Sequence, residues 1–260
     1  MLSTDLQNAL KQLARTPRLL VAMDFDGTMS PLVPRAEDAR ALPANAEAFA
    51  ALAELPDTVT ALISGRALAS LRQSASPPEH TLLIGSHGAE SWFGPGASPL
   101  ALTPEQEDLV RQTTEILRGV SGNYPGVTVE LKPAGAVLHT RQSAEETAEA
   151  AVTAAIEALA ALPIQLHEGK RVLEAAVLKV DKGQGLELLR KRTGATAILF
   201  AGDDTTDENG FRALLADDVG VKVGDGETAA AFRISSVTET AELLGTLLSF
   251  RRNHTQPHRV

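Results

Sequence analysis

Leu2, Leu6, Leu10 and Leu13 recur at helical spacing, so the chain opens on an amphipathic helix. Between Arg18 and Asp24 the pattern changes to an unbroken apolar run, Leu-Leu-Val-Ala-Met. A short continuous run of this kind predicts a strand covered on both faces, as in a parallel sheet. A helix follows, with Pro43 in its first turn and Phe49, Leu52 and Leu55 facing inward. Thr58–Ile63 and 81–84 read as two more strands. The first ends at Ser64-Gly65-Arg66 and the second at Gly85-Ser86-His87-Gly88. Strand and helix alternate, and polar residues collect where strands end. That predicts an α/β domain with its site at the carboxyl edge of the sheet.

The Gly- and Pro-rich segment 94–99 marks a domain boundary. Beyond it the order becomes a helix at 104–117, strands at 127–132 and 136–141, an Ala-rich helix at 144–161, and strands at 164–168 and 172–178. From Lys182 the first pattern returns, with a helix to about Arg192, a strand at 195–201, a further helix, a strand at Val219–Val223 and a closing helix. The tail 251–260 is expected to fray. The expected architecture is a Rossmann-like, parallel-sheet α/β core built from residues 1–100 and 179–260. An α+β domain, 101–178, is inserted into it.

Composition narrows the function classes. The apolar share of 43% is too high for a disordered chain. Twenty-four basic residues against 33 acidic ones leave a net charge of −9, which argues against nucleic acid or an anionic membrane as partner. The absence of cysteine excludes disulfides, thiolate catalysis and Cys-ligated metal centres. No run is long enough to span a membrane, and the N-terminus lacks the features of a signal peptide. The expectation is a soluble, cytoplasmic monomer acting on a small molecule.

Four strand ends carry candidate chemistry. Asp24-Phe-Asp26-Gly27-Thr28 places two carboxylates just beyond a buried strand. Burying like charges together is costly without a cation, and oxygen-only donors suit a hard ion such as Mg²⁺. The alternative is a turn with two solvated acids. Ser64-Gly65-Arg66 offers a hydroxyl and backbone N–H groups to a phosphate oxygen, or simply caps a helix. Lys182 can act as a point charge for phosphate, or be a solvated lysine. Asp203, Asp204, Asp207 and Glu208 crowd the end of another buried strand. They can supply further metal ligands, or sit at a helix N-terminus favoured by its dipole.

In the inserted domain, alternation puts Thr128, Glu130 and Lys132 on one strand face. His139 and Arg141 share a face with Val137, and Glu174 interrupts apolar neighbours. A face carrying Glu130, Lys132, Arg141 and Glu174 can hydrogen-bond many sugar hydroxyls, or is an ordinary solvated face. His87 lies near the boundary and a strand end, where it can touch substrate or be satisfied by backbone.

The order of these pieces is more specific than any one of them: Asp-x-Asp-Gly-Thr, Ser-Gly-Arg, Lys, then Gly-Asp-Asp-x-x-Asp. From Leu20 to about Val223 the chain resembles the haloacid dehalogenase-like (HAD) phosphatases, including an α+β cap placed between the second and third motifs. Within them it looks most like the trehalose-6-phosphate phosphatase family, on the strings MDFDGTMSPL, LISGR, GSHGAE, VELK, HTR, EGKRVLE, DKG and GDDTTDE. After Glu174 the family's Arg- and Pro-containing stretch is replaced by Ala-Ala-Val-Leu-Lys.

The resemblance implies a Mg²⁺-dependent hydrolase of trehalose 6-phosphate. Asp24 would be the nucleophile and Asp26 the general acid and base. Ser64 and Lys182 would hold phosphoryl oxygens, with Thr28 and Arg66 beside the substrate. The Asp24 carboxylate, the Asp26 backbone carbonyl and Asp203 would hold the metal, with Asp207 one layer behind. Glu130, Lys132, Arg141, Glu174 and His87 would meet the sugar. Closure of the cap by hinging at 94–99 and 178–181 is also expected. Competing readings keep the chemistry but change the sugar (sucrose phosphate or a glycosyl-phosphoglycerate), make the protein a phosphomutase, or make it a non-catalytic sugar-phosphate sensor.

Overall fold

A computed structural model describes residues 1–88, 90–96, 102–169, 171–177 and 181–255, without the side chains of His87 and Thr255. It divides into two compact units, Met1–Pro99 with Val180–Val260, and Leu100–Lys179. The segments expected to hinge, 94–99 and 178–181, lie largely outside the described residues.

The first half of the first unit runs α1 (Thr4–Leu13), β1 (Leu19–Met23), α2 (Pro43–Ala53), β2 (Thr58–Ile63), α3 (Leu68–Ala75), β3 (Leu82–Gly85) and β4 (Glu90–Trp92). The second unit holds α4 (Pro104–Ser121), β5 (Thr128–Lys132), β6 (Gly135–His139), α5 (Glu145–Leu159), β7 (Gln165–Gly169) and β8 (Val172–Ala176). The first unit resumes with α6 (Lys182–Thr193), β9 (Ala197–Gly202), α7 (Asp207–Arg212), β10 (Val219–Val223), β11 (Phe232–Ile234) and α8 (Thr240–Thr255). No described helix is long and apolar enough to cross a membrane.

The first unit's sheet has the order β11-β10-β9-β1-β2-β3-β4, parallel except for β4. All five β1 side chains are buried because both faces are covered. Leu19, Val21 and Met23 pack with α1, α2 and α8 through Leu10, Phe49 and Leu244. Leu20 and Ala22 pack with Leu186 and Leu189 of α6 and Phe211 of α7. From β1 the chain moves outward one way to β4, and later from β9 the other way to β11. The carboxyl ends of β2, β1 and β9 therefore flank a topological switch point, the usual place for a ligand in an open α/β sheet.

The second unit is an antiparallel sheet, β5-β6-β8-β7, covered on one face by α4 and α5. Ala136, Leu138, Leu173 and Ala175 face these helices. On the opposite face Glu130, Val137, Glu174 and His167 form one cross-strand row.

Three details differ from the sequence reading. β6 ends at His139, because Ser143 N–H bonds Thr140 O and turns the chain; exposed Arg141 lies in that turn, outside the strand. β4 and β11 were not foreseen, since three residues carry too little alternation to register as a strand. The expected fraying from 251 is also corrected. α8 continues through Thr255, and buried Arg251 donates to the carbonyls of Ala14, Thr16, Pro17 and Asp57 and to Thr58 Oγ1. Residues 256–260 lie outside the described residues.

Candidate active site

β1 delivers Asp24 to the sheet edge, its N–H bonded to Ala201 O of β9 at 2.9 Å. The chain then turns tightly, with Met29 and Ser30 N–H groups both on Phe25 O. Gly27 has φ +81°, and a Cβ there would lie 2.0 Å from Asp203 Oδ2. Glycine thus serves twice, for the left-handed turn and for close approach to the acid loop. Buried Thr28 sends a long 3.4 Å hydrogen bond from Oγ1 to Asp203 Oδ1.

The acids after β9 divide their work. Asp204 Oδ1 accepts from Thr206 N, Thr206 Oγ1 and Asp207 N, so Asp204 does the helix-capping that the sequence left open. Asp203 and Asp207 instead join Asp24. These three can each bring one carboxylate oxygen to within 4.8 Å of the others. Lys182, the first residue of α6, is buried rather than solvated. Its ammonium lies 2.8 Å from Asp24 Oδ1 and 2.6 Å from Asp207 Oδ1.

Electrostatics follow from this crowding. Burial pushes Asp24 up to about 7, although Lys182 pulls against it. Burial and the Asp24 charge raise Asp207 to about 7, and burial with Asp207 raises Asp203 to about 6. Burial alone would lower the Lys182 ammonium, but Asp24, Asp207 and Asp204 together raise it. Asp204 ends below its usual range because Lys182 and the Thr206 hydroxyl outweigh its partial burial. Three crowded carboxylates with one buried ammonium among them remain short of positive charge. The donors are all hard oxygens, so the set fits a hard divalent cation.

A pH dependence follows for metal-free protein. Raised carboxyl pKa values mean that the folded state holds more protons than the unfolded state between about pH 4 and 7. Stability from these groups is present below the unfolded pKa and is lost as pH rises through 6 to 7. Urea midpoints in EDTA are expected to fall from pH 5 to pH 8, whereas a divalent ion, which binds the deprotonated carboxylates, should restore the midpoint most at pH 8.

At the end of β2, Ser64 is buried and its Oγ accepts from Arg66 N at 3.2 Å. Arg66 places Nε and Nη2 each 2.6 Å from one oxygen of Asp26, in a bidentate pair. The structure thus brings Asp24, Asp26, Thr28, Ser64, Arg66, Lys182, Asp203 and Asp207 to one sheet edge. The Asp26 carboxylate is paired with Arg66 rather than grouped with the three-acid cluster. The His87 side chain lies outside the described residues. Sequence reasoning missed Lys222, whose signal was a lone lysine in an otherwise apolar strand. It is buried in β10 and donates to Asp203 O at 2.6 Å, holding the acid loop against the sheet.

In the second unit, Glu130 bonds Lys132 and, at 2.8 Å, His139 Nε2. Lys132 holds its carboxyl below the usual range. Glu174 lies two strands away in the same row, and Arg141 lies beyond the end of β6, outside the sheet.

The sequence profile of the family described as trehalose-phosphatase matches residues 22–239. A trehalose-6-phosphate phosphatase of Escherichia coli (strain K12) is 31% identical over 255 residues, covering 93% of this chain and 94% of that protein. A bifunctional trehalose-6-phosphate synthase/phosphatase of Thermoproteus tenax is 30% identical over 240 residues, covering 90% of this chain. This chain spans only 32% of that longer protein. Among solved structures, a trehalose-6-phosphate phosphatase of Aspergillus fumigatus superposes with a TM-score of 0.70 at 22% identity, covering 96% of this chain and 99% of the other. A haloacid dehalogenase-like hydrolase of Bacteroides thetaiotaomicron gives a TM-score of 0.61 at 15% identity, covering 88% and 98%. At these identities the structural likeness is one of fold, and that fold is HAD-like. With the profile spanning most of the chain, the protein belongs to the trehalose-phosphatase family.

Proposed function

We propose that the chain is a Mg²⁺-dependent phosphatase that hydrolyses trehalose 6-phosphate to trehalose and phosphate. The observation that carries this is the buried Lys182 ammonium between Asp24 and Asp207, with Asp203 completing a three-carboxylate cluster. The Asp24 carboxylate, the Asp26 carbonyl and Asp203 would hold the ion, with Asp207 one layer behind, where it binds Lys182. When bound, Mg²⁺ supplies positive charge to the phosphoryl oxygens and to the crowded acids.

Asp24 attacks phosphorus, the bond to the sugar oxygen breaks, and an aspartyl-phosphate forms. Asp26 gives its proton to the departing sugar oxygen, then takes one from the water that attacks the aspartyl-phosphate and frees phosphate. Lys182 keeps Asp24 oriented and, with the Ser64 hydroxyl, offsets charge on the phosphoryl oxygens. Thr28 and Arg66 set the geometry of Asp203 and Asp26 beside the reacting group.

The second unit would act as a cap that reads the sugar. Glu130 and Glu174 lie in one cross-strand row, with Lys132 and His139 tied to Glu130. Such a face suits a disaccharide rich in hydroxyls. Glu130→Ala or Glu174→Ala should raise the KM for trehalose 6-phosphate by about tenfold or more, at a loss of roughly 1.5–3 kcal/mol for a charged hydrogen bond. The KM for p-nitrophenyl phosphate should hardly change. Equal changes for both substrates would remove the sugar-reading role. The net acidic charge is no obstacle, since Mg²⁺ and Lys182 meet the phosphate locally.

A further inference from the structure

Helix α3 begins without a side-chain cap of its own, because its N-cap is Ala67. The N–H of Leu68, its first residue, is instead taken by Glu90 Oε2 from β4 at 2.9 Å. The same oxygen accepts from the Ser86 hydroxyl. Ser86 has φ +47°, a conformation that serine adopts only under constraint, and its N–H bonds Arg66 O at 2.7 Å. A Cβ on Gly85 would lie 2.7 Å from that same Arg66 carbonyl. The turn after β3 and the loop after β2 are therefore fastened together at the Arg66 carbonyl and, two residues on, at Leu68 N–H. From this fastening the Arg66 guanidinium reaches Asp26 with two 2.6 Å bonds, donates to Ala36 O at 2.7 Å, and lies 5.4 Å from the Phe25 ring centroid.

We propose that half-buried Glu90 is a positioning residue for the reaction. It fixes the Ser86 turn and the start of α3, and so aims Arg66 at Asp26 and sets the plane of the Asp26 carboxylate. Glu90 itself touches no reacting atom. Each Asp26 oxygen has a second lone pair, so the Arg66 pair orients the carboxylate without exhausting it. The role rests on the proposed function, because it matters only if Asp26 exchanges protons with the leaving group and water. It also accounts for the Gly-Ser-His-Gly-Ala-Glu string, of which neither Ser86 nor Glu90 has another part in the chemistry.

The test compares a poor leaving group with a good one. A sugar alkoxide needs protonation to depart, whereas p-nitrophenolate leaves unaided. Glu90→Ala and Arg66→Ala should each lower kcat for trehalose 6-phosphate by about tenfold or more, and that for p-nitrophenyl phosphate by much less. The double variant should be no worse than the worse single one, because both act along one route. Glu90→Gln keeps an acceptor for Leu68 N–H and should recover most of the rate. If the alanine variant does not fold, Glu90→Asp, which withdraws the carboxylate by one methylene, is expected to show the same leaving-group dependence. Equal losses on both substrates, or additive losses in the double variant, would overturn the positioning role while leaving the phosphatase reading intact. A wild-type protein inactive on both substrates would overturn the phosphatase reading itself, and the positioning role with it.

Discussion

Asp24→Asn is expected to abolish phosphate release, lowering kcat by roughly 10⁴-fold or more, in a protein that remains folded. The carboxamide matches the carboxylate in size but cannot attack phosphorus, and it also removes a negative charge from the acid cluster. Fold retention follows from the site's electrostatics. Burial holds the Asp24 carboxyl up at about 7, which means that its charge is unfavourable there without a metal. Removing that charge should leave the metal-free urea midpoint near pH 8 unchanged or higher. Steady-state phosphate release and urea unfolding on the same preparation read both halves. A variant that keeps more than a few per cent of the wild-type rate would remove Asp24 as the nucleophile.

Lys182→Met should damage both activity and stability. The ammonium side chain is 5% exposed and makes hydrogen bonds to Asp24 and Asp207. Methionine fills similar space but leaves those carboxylates buried without their partner. Breaking a buried pair on one side costs about 3–5 kcal/mol. The loss should be largest in EDTA near pH 8, where the carboxylates are charged, and smaller near pH 5, where they take up protons. Mg²⁺ should restore part of the stability. It should not restore kcat, which is expected to fall by roughly 10²–10³-fold because a donor to the phosphoryl oxygens is gone. Unfolding with and without Mg²⁺ at the two pH values, beside turnover, separates the effects. A stability loss independent of pH would mean that Lys182 acts by packing alone.

Much of the fold was legible because the core strands are extreme. Leu19–Met23 and Ala197–Gly202 are continuous apolar runs, since helices cover both faces of the sheet, and such runs have sharp ends. The candidate site was legible for the same reason: Asp24 and the Asp203 loop are the first polar residues after those runs, as Ser64 is after the Ala61–Ile63 end of β2. The structure decides two choices that spacing left open. Lys182 could have been solvated, and the acids after β9 could have been no more than a cluster at a helix N-terminus. Burial of the lysine comes from how α6 meets the ends of β1 and β9, which no local pattern records, whereas the contacts of Asp204 with Thr206 and Asp207 are local but could have been made by any of several neighbouring acids.

The elements that were misjudged depend on distant partners. β4 exists through its antiparallel pairing with β3 rather than through its own alternation. The end of α8 is held by Arg251, which reaches carbonyls more than 190 residues away in sequence. Arg141 looked like a strand residue from alternation, but the turn closed by Ser143 and Thr140 removes it from the sheet. Lys222 escaped notice, and Glu90 was seen only as part of a string, because each meets backbone groups of another loop, Asp203 O for one and Leu68 N–H for the other.

The central claim is that one acidic cluster, one buried lysine and one aspartate nucleophile release phosphate from trehalose 6-phosphate. The most direct measurement is phosphate release from trehalose 6-phosphate, sucrose 6-phosphate, glucose 6-phosphate and p-nitrophenyl phosphate, with Mg²⁺ or with EDTA. The account predicts strong preference for trehalose 6-phosphate, lost in EDTA. Mg²⁺-dependent release that favours another sugar would keep the chemistry of the sheet edge and contradict the substrate. No release from any of the four would contradict the phosphatase itself.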